Sequence, residues 1–411
     1  MLSYEEARAK VIAVIRERFR AAAAHEPEAL EFAGQPSRAL GRVLAEDVTA
    51  DRPYPPFDRS TRDGFALRAS DAPNPGAKLR LVGESRAGVA FDGTVGVGEC
   101  VRIMTGAALP RGTDAVAMQE YAHTEGDFVV FDQPARTGQN FVPAGKEIRA
   151  GDVVVAHGAW LGYAELAMVA QVGRSRVSVF ARPRIAILST GDEVVDVAKT
   201  PGPFQIRNSN SVSLAAQVSL AGGEPVMLGN APDEIAELRR RIERGLETDA
   251  LILSGGVSVG KYDLVENVLR ELGVEFFFDA IAIRPGKPAV FGWCKGKPVF
   301  GLPGNPVSTM VTFELLAAPG IEILSGSEPQ PLPLFKAKLA HSIDEKPGLA
   351  HFLPARVSWP GGEPVVEALP WEGSGDIGAV VRGNCFLVVH ATKLKLAAGE
   401  PVDVLPRRGI F

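Results

Sequence analysis

Three blocks decide the reading of this chain: residues 249–269 are DALILSGGVSVGKYDLVENVL, residues 281–292 are IAIRPGKPAVFG and residues 297–308 are KPVFGLPGNPVS. The first and third each run from an apolar stretch into a glycine-rich turn and then into a helical pattern. A strand that feeds a glycine turn and a helix start aims backbone N–H groups at one spot, which suits an anion. Between them, Arg284-Pro285-Gly286-Lys287-Pro288 sets two cations on a stiff loop. Together the blocks predict a site for a large, highly charged ligand.

Outward from these blocks, strands alternate with helices from 181 to about 325. RIAILST (184–190) reads as a buried strand, 211–221 as a helix stopping at Gly222-Gly223, and 225–229 as a strand. The spacing predicts a helix over 233–246, with Ile235, Leu238, Ile242 and Leu246 on one face and Arg239-Arg240-Arg241 largely on a solvated one. A helix over 262–272 follows, then strands near 274–283, 288–294 and 297–302 and a last helix from Val307. This alternation predicts an open, mostly parallel sheet with helices on both faces, whose ligands bind beyond the carboxyl ends of its strands. Residues 3–24 read as a docking helix carrying Tyr4, Ala7, Val11, Val14, Ile15 and Phe19. Short β-like runs punctuated by Gly and Pro fill 45–145, strands and a helix fill 146–180, and β-like runs return after a proline-marked linker at 329–333.

Bulk composition narrows the function classes. The 411 residues suggest about three domains. Hydrophobic residues at 46% and charged residues at 23% suit a globular protein with sizeable cores. A net charge of −5 argues against nucleic acid as a partner, so any anion site is built locally. Cys100, Cys294 and Cys385 are odd in number and far apart, giving neither a disulfide framework nor a zinc pattern. The sequence shows no signal-peptide pattern and no run of about 18 apolar residues, so no membrane partner is expected and a reducing cytoplasm is the expected compartment.

The motifs each carry a plain alternative. Gly255 to Lys261 (GGVSVGK) nearly fits a P-loop, but Tyr262 stands where a magnesium-binding hydroxyl belongs and Asp263 follows. That favours a different phosphate loop, with a metal held by a carboxylate, over a P-loop NTPase or a purely structural turn. In Gly301-Leu302-Pro303-Gly304-Asn305-Pro306, Asn305 is the expected N-cap and Pro306 the first helical residue, and Ser308 can donate to an oxyanion. The alternative is a well-capped helix and nothing more. Arg284 and Lys287 could clamp a tetrahedral dianion or line a surface loop. Ser189-Thr190-Gly191-Asp192-Glu193 ends a strand, Thr105-Gly106 ends another, and Asp63-Gly64 reads equally well as a turn. Asp63, Asp192, Glu193, Asp233 and Asp263 are oxygen donors that could share a magnesium ion.

Taken together, PPFDRSTRDGFAL, VRIMTGAALPRGTDAV, ILSTGDEV, LILSGGVSVGKYDLV, IRPGKPAVFG and GLPGNPVS resemble the molybdopterin molybdenumtransferase family, which includes bacterial MoeA and the gephyrin E domain. The blocks follow the family's order along nearly the whole chain, more weakly after 330. The resemblance implies a multidomain α/β and β fold. Residues 1–45 with 146–180 would be a linking domain, 46–145 an inserted β domain, 181–326 a molybdopterin-binding α/β domain, and 327–411 a β-barrel-like domain. It implies an elongated homodimer, each site built partly from the other subunit, with transient contact to other cofactor-biosynthesis or molybdoenzyme-maturation proteins. The implied reaction inserts molybdate into adenylylated molybdopterin and releases AMP, assisted by magnesium. Catalysis would rest on Asp63, Asp263, Arg284, Lys287 and Ser308. Binding would fall to Thr105, Thr190, Gly191, Asp192, Ser254, Gly255, Gly256, Ser258, Gly260, Pro303, Gly304 and Asn305, and the metal to Glu193, Asp233 and Asp263. A molybdopterin adenylyltransferase and a non-catalytic molybdopterin-binding scaffold are the competing readings. The chain departs from the family where Arg59-Ser60-Thr61-Arg62 precedes Asp63, and at Ala280, Lys146, Leu349 and 376–383, in each case where the family carries other residues.

Overall fold

The strand Arg184–Thr190 is buried from Ile185 onward, as an apolar run covered on both faces should be. In the computed structural model, which describes residues 1–21, 27–256, 264–393 and 395–410, it lies second in a six-stranded sheet. The order is Glu224–Ala231, Arg184–Thr190, Ala250–Ser254, Lys297–Leu302, Pro288–Cys294 and Glu275–Ala280. The first four strands are parallel, and the last two join antiparallel. The sheet is thus mostly parallel, as expected; its parallel half carries both glycine turns, and the other edge is an antiparallel addition. The reason is local. Only Lys295-Gly296 separates two of the strands, both with positive φ (48° and 80°), and a two-residue turn of that kind closes a hairpin.

Alternate side chains of the sheet enter two cores, the period-two signature of a strand. Ile185, Ile187, Ile252, Phe300 and Leu302 pack with the helix Ser209–Leu220 and with residues 306–324. Ala186, Leu188, Leu251, Leu253 and Val299 pack with the helices Ile235–Gly245 and Leu264–Glu271. The arginines of Ile235–Gly245 engage carboxylates on its outer side: Arg240 and Arg241 bond Glu237, and Arg239 pairs with Glu271. That helix starts two residues later than the sequence spacing suggests, which leaves Asp233 on the loop at the end of its strand. Residues 306–324 are apolar and long enough to cross a bilayer, yet 89% of that window is buried, as in a core helix. A single π turn, Phe313–Ala317, interrupts it.

The helix Tyr4–Ala21 lays Tyr4, Ala7, Val11, Val14 and Ile15 into the same core as Ile185 and Phe300. A separate small core joins the strands Glu28–Glu31 and Arg176–Val179 to the helix Tyr163–Gln171 through Leu30, Leu166, Val169 and Val179. A second six-stranded sheet carries Gly64–Leu67 between Ala115–Met118 and Glu99–Ile103. A Cβ at Gly64 would sit 1.9 Å from the Ala117 carbonyl oxygen, so the glycine of Asp63-Gly64 is dictated by strand contact and not only by a turn. In the C-terminal region five strands close on themselves, Ala350–Ser358 pairing with both Val365–Ala368 and Cys385–Val389. The two-residue strand Ile283–Arg284 adds to that sheet, with Arg284 opposite His351.

Candidate active site

The glycine turns meet at one place. Ser254 ends its strand, and Gly255 and Gly256 then take φ of 91° and 61°. A Cβ at Gly255 would lie 2.9 Å from the Thr190 carbonyl oxygen, and one at Gly256 would lie 2.8 Å from Thr190 Oγ1. Both the conformation and the space demand glycine. The second turn approaches directly: the Cα of Gly255 lies 3.5 Å from where a Cβ on Gly304 would be. The rest of the first loop, including Ser258, Gly260 and Asp263, lies outside the described residues.

Asn305 occupies the expected position before the helix Pro306–Thr312, but its side chain does not cap that helix. Its Nδ2 instead donates to Ser374 Oγ at 2.8 Å, and Val307 N donates to the Ser374 carbonyl at 2.9 Å. The C-terminal region thus takes over part of the capping, which local sequence does not announce.

The two turns are tied by a residue that motif reading passed over. Asn210, in the first turn of Ser209–Leu220, points its amide nitrogen at the Gly304 carbonyl (2.7 Å), Ser254 Oγ (2.9 Å) and Thr309 Oγ1 (3.3 Å). A carbonyl only accepts, so the amide group must face it and Oδ1 must face away. The neighbouring Asn208 is a true cap: its Oδ1 accepts from Ser211 N at 3.0 Å and from Ser189 Oγ at 3.1 Å. The cap signal at Asn208 was available in the sequence; the cross-link by Asn210 needs the fold.

These elements wall a cavity of about 970 Å³, near the upper end of ligand sites. The expected residues Thr190, Gly191, Glu193, Asp233, Ser254, Gly255, Gly256, Arg284, Lys287, Pro303, Gly304, Asn305 and Ser308 all line it. Leu349, Trp371, Gly373 and Ser374 reach it from the C-terminal region, far away in sequence and carrying no motif. Among the described residues no carboxylate lies within ion-pair distance of Arg284 or Lys287, which leaves both cations for a ligand. Gly286, at φ 109°, lets this loop lie against Thr312. Ser308 is 4% exposed, and the buried Thr190 Oγ1 has no hydrogen-bond partner among the described residues.

Acidic groups gather at one corner. Asp233 N donates to Asp192 Oδ1 at 3.1 Å; Asp192 stands beside the wall and Glu193 on it. Burial, then the charges of Asp192 and Glu193, push the Asp233 carboxyl above its ordinary value. That is a locus of uncompensated negative charge, which a cation relieves. Among the described residues no three ligating side chains converge into a ready-made cage. A hydrated magnesium ion, which keeps several waters and takes only one or two carboxylates, fits such a corner.

Asp63 and Thr105 lie apart from this wall, in the turns that flank the paired strands Gly64–Leu67 and Glu99–Ile103. Thr105 donates to Asp63 Oδ1 through its backbone N (2.6 Å) and its hydroxyl (2.7 Å), and these bonds hold the carboxyl below its usual range. Asp63 is therefore a fixed carboxylate.

Comparison with known proteins agrees with this architecture. The chain is 36% identical over 372 residues to the molybdopterin molybdenumtransferase of Haemophilus influenzae, covering 90% of this chain and 92% of that protein. It belongs to the molybdopterin molybdenumtransferase family. Family models described as "MoeA N-terminal region (domain I and II)", "Probable molybdopterin binding domain" and "MoeA C-terminal region (domain IV)" match residues 2–173, 186–322 and 336–406. The molybdopterin molybdenumtransferase of Bacillus subtilis is 31% identical over 377 residues, 89% of this chain and 87% of its own. Among solved structures, a molybdopterin biosynthesis MoeA protein from Pyrococcus horikosii superposes with a TM-score of 0.75 at 32% identity, covering 100% of both chains. The glycine turns, the basic loop and the acidic corner all fall within or next to the middle family segment, residues 186–322.

Proposed function

We propose that this protein inserts molybdate into adenylylated molybdopterin and releases AMP, the last step of molybdenum cofactor biosynthesis. The observation that carries this reading is the cavity in which Arg284 and Lys287, without ion-pair partners among the described residues, face two touching glycine turns. The turns suit the phosphates of the adenylate, and the basic loop with Ser308 suits a tetrahedral dianion. The dithiolene sulfurs belong to the substrate, so the three buried, free cysteines need take no part, in keeping with a reducing cytoplasm. Protein catalysis is then mainly positioning and electrostatics. Asp233 and Glu193, together with Asp263 of the first loop, would hold a hydrated magnesium ion, which offsets phosphate charge when bound. Asp63, kept ionised and outside the lining of its own cavity, is read as presented to the cavity of a second copy in a homodimer. No observation favours the adenylyltransferase or scaffold alternatives.

The deciding experiment incubates the protein with adenylylated molybdopterin and magnesium, with and without molybdate, and follows AMP. Release that requires molybdate is expected. Tight binding of the adenylate without molybdate-dependent release overturns the reading. Adenylate formed from molybdopterin and ATP would point to the adenylyltransferase instead.

A further inference from the structure

The basic loop is pinned by two neighbours, one of them the residue that leads into the cap of the first helix. Ala282 N donates to the Leu2 carbonyl at 2.8 Å, and Ala350 N donates to the Ala282 carbonyl at 3.0 Å. Leu2 pairs with Ile281 in a parallel bridge, while Ile283 and Arg284 pair with Ala350 and His351 of the C-terminal sheet. Ile281 N closes the loop on the Lys287 carbonyl at 3.0 Å. Arg284 and Lys287 therefore stand on one turn whose base is tied to both Leu2 and Ala350. The strand within it, Ile283–Arg284, is only two residues long, short of an ordinary strand, so each rung is a large share of what holds it.

Leu2 is itself held in a set direction. Ser3 directly precedes the helix Tyr4–Ala21. Ser3 N donates to Glu6 Oε2 at 2.8 Å and Glu6 N donates to Ser3 Oγ at 3.2 Å, a reciprocal cap. Leu2, one residue ahead of that cap, packs against the same core as Ala7, the fourth residue of the helix. An apolar pair at those two positions fixes the angle at which a chain enters its helix. Tyr4 adds an edge-to-face contact with Phe352, the neighbour of His351, at 5.3 Å between ring centroids. A helix cap alone needs only Ser3 and Glu6. The bond from Ala282 to the Leu2 carbonyl goes further, because it carries the fixed direction of the helix start into the loop that bears both cations. The glycine turns end other strands, Ala250–Ser254 and Lys297–Leu302.

We propose that Leu2, oriented by Ser3 and Glu6, is a positioning strap for the basic loop. It sets where Arg284 and Lys287 stand, and so how tightly the protein holds a tetrahedral oxyanion, while the phosphate subsites at the glycine turns are left largely as they are. Leu2, Ser3 and Glu6 act through the loop and touch no substrate. The assignment rests on the insertase reading, which supplies molybdate as the oxyanion.

The test uses the full chain at a temperature where every variant is folded. Titration calorimetry reads molybdate and AMP separately, and AMP release from adenylylated molybdopterin reads the molybdate KM and kcat. The double variant Ser3→Ala/Glu6→Ala removes the reciprocal cap and should weaken molybdate binding and raise its KM about three- to tenfold. AMP affinity and kcat should stay within about twofold of wild type. Ser3→Thr/Glu6→Gln keeps the cap chemistry and should restore the wild-type values. Ala282→Pro leaves the cap intact but removes the N–H that reaches Leu2, so it must also raise the molybdate KM, and it decides the matter should the double variant fail to fold. Molybdate affinity unchanged in these variants, an equal loss of AMP affinity, or a loss that Ser3→Thr/Glu6→Gln does not reverse overturns the strap. Turnover with a wild-type molybdate KM in the strap variants removes the strap and keeps the insertase. Molybdate binding that the strap variants weaken, without any AMP release by the wild-type protein, does the reverse. A wild-type protein that neither binds molybdate nor releases AMP overturns both.

Discussion

Substituting Asn210 tests whether the two glycine turns work as one unit. Asn210→Ala removes an amide that donates at 2.7 Å to the Gly304 carbonyl and at 2.9 Å to Ser254 Oγ. Neutral hydrogen bonds of this kind contribute about 0.5–1.5 kcal/mol each, and an acceptor left dry costs more than one that water can reach. Gly304 faces the cavity and recovers water, whereas Ser254 is 2% exposed and does not. The expected loss is about 1–2 kcal/mol, falling on the relative placement of the two turns. Because both turns are read as phosphate subsites, this should weaken AMP binding by roughly five- to thirtyfold, at 1.4 kcal/mol per factor of ten. Asn210→Asp sharpens the test. It is nearly isosteric, but it sets a carboxylate oxygen against the Gly304 carbonyl, so it should bind AMP more weakly than Asn210→Ala does. Titration calorimetry with AMP on the three proteins reads the ordering. Affinity within twofold of wild type for Asn210→Ala, or Asn210→Asp binding better than Asn210→Ala, refutes both the clamp and the amide orientation deduced from it.

Arg284→Ala removes charge-assisted bonds worth about 1.5–3 kcal/mol, so the molybdate KM for AMP release should rise roughly ten- to a hundredfold while AMP affinity changes little; an equal loss of AMP affinity would place Arg284 in the nucleotide subsite instead. Gly255→Ala forces a side chain to φ 91° and to within 2.9 Å of the Thr190 carbonyl oxygen, so its thermal midpoint should drop along with AMP binding; an unchanged midpoint means the turn relaxes freely. The Asp233 carboxyl is raised in the folded chain by burial and by Asp192 and Glu193, so its contribution to stability is present below its unfolded pKa and is lost as pH rises through the folded one. Without divalent cation, stability should therefore fall as pH rises between those two values, and magnesium should restore it. Asp233→Asn should flatten that pH dependence, and magnesium affinity independent of pH in the same window excludes Asp233 as a ligand. Asp263→Ala should abolish AMP release while retaining adenylate binding; unchanged turnover removes its metal role.

How much was legible in the sequence follows from where each signal is encoded. Glycines that must adopt positive φ, prolines and alternating apolar runs act over a few residues, so the strands, both turns and the basic loop can be read from their own neighbourhood. The cavity wall built from Thr190, Gly255, Gly304 and Ser308 follows from one further rule, that parallel strands gather their carboxyl ends. Three features do not reduce to neighbourhood. Asn210 looks like any polar residue in a first helical turn until the sheet brings Ser254 and Gly304 within reach of it. Asn305 carries the right residue for a cap and is diverted to Ser374, because a competing partner arrives from 69 residues away. His351 has no motif at all, and its place opposite Arg284 exists only because the strand Ile283–Arg284 leaves the α/β sheet and pairs with the C-terminal barrel. That crossing has a functional consequence. The residue read as the oxyanion clamp is held by the C-terminal sheet while its glycine-turn partners are held by the α/β sheet, so any shift of the barrel moves Arg284 relative to the phosphate subsites. Barrel substitutions remote from the cavity that loosen the strand Ala350–Ser358 should therefore raise the molybdate KM before they affect AMP binding.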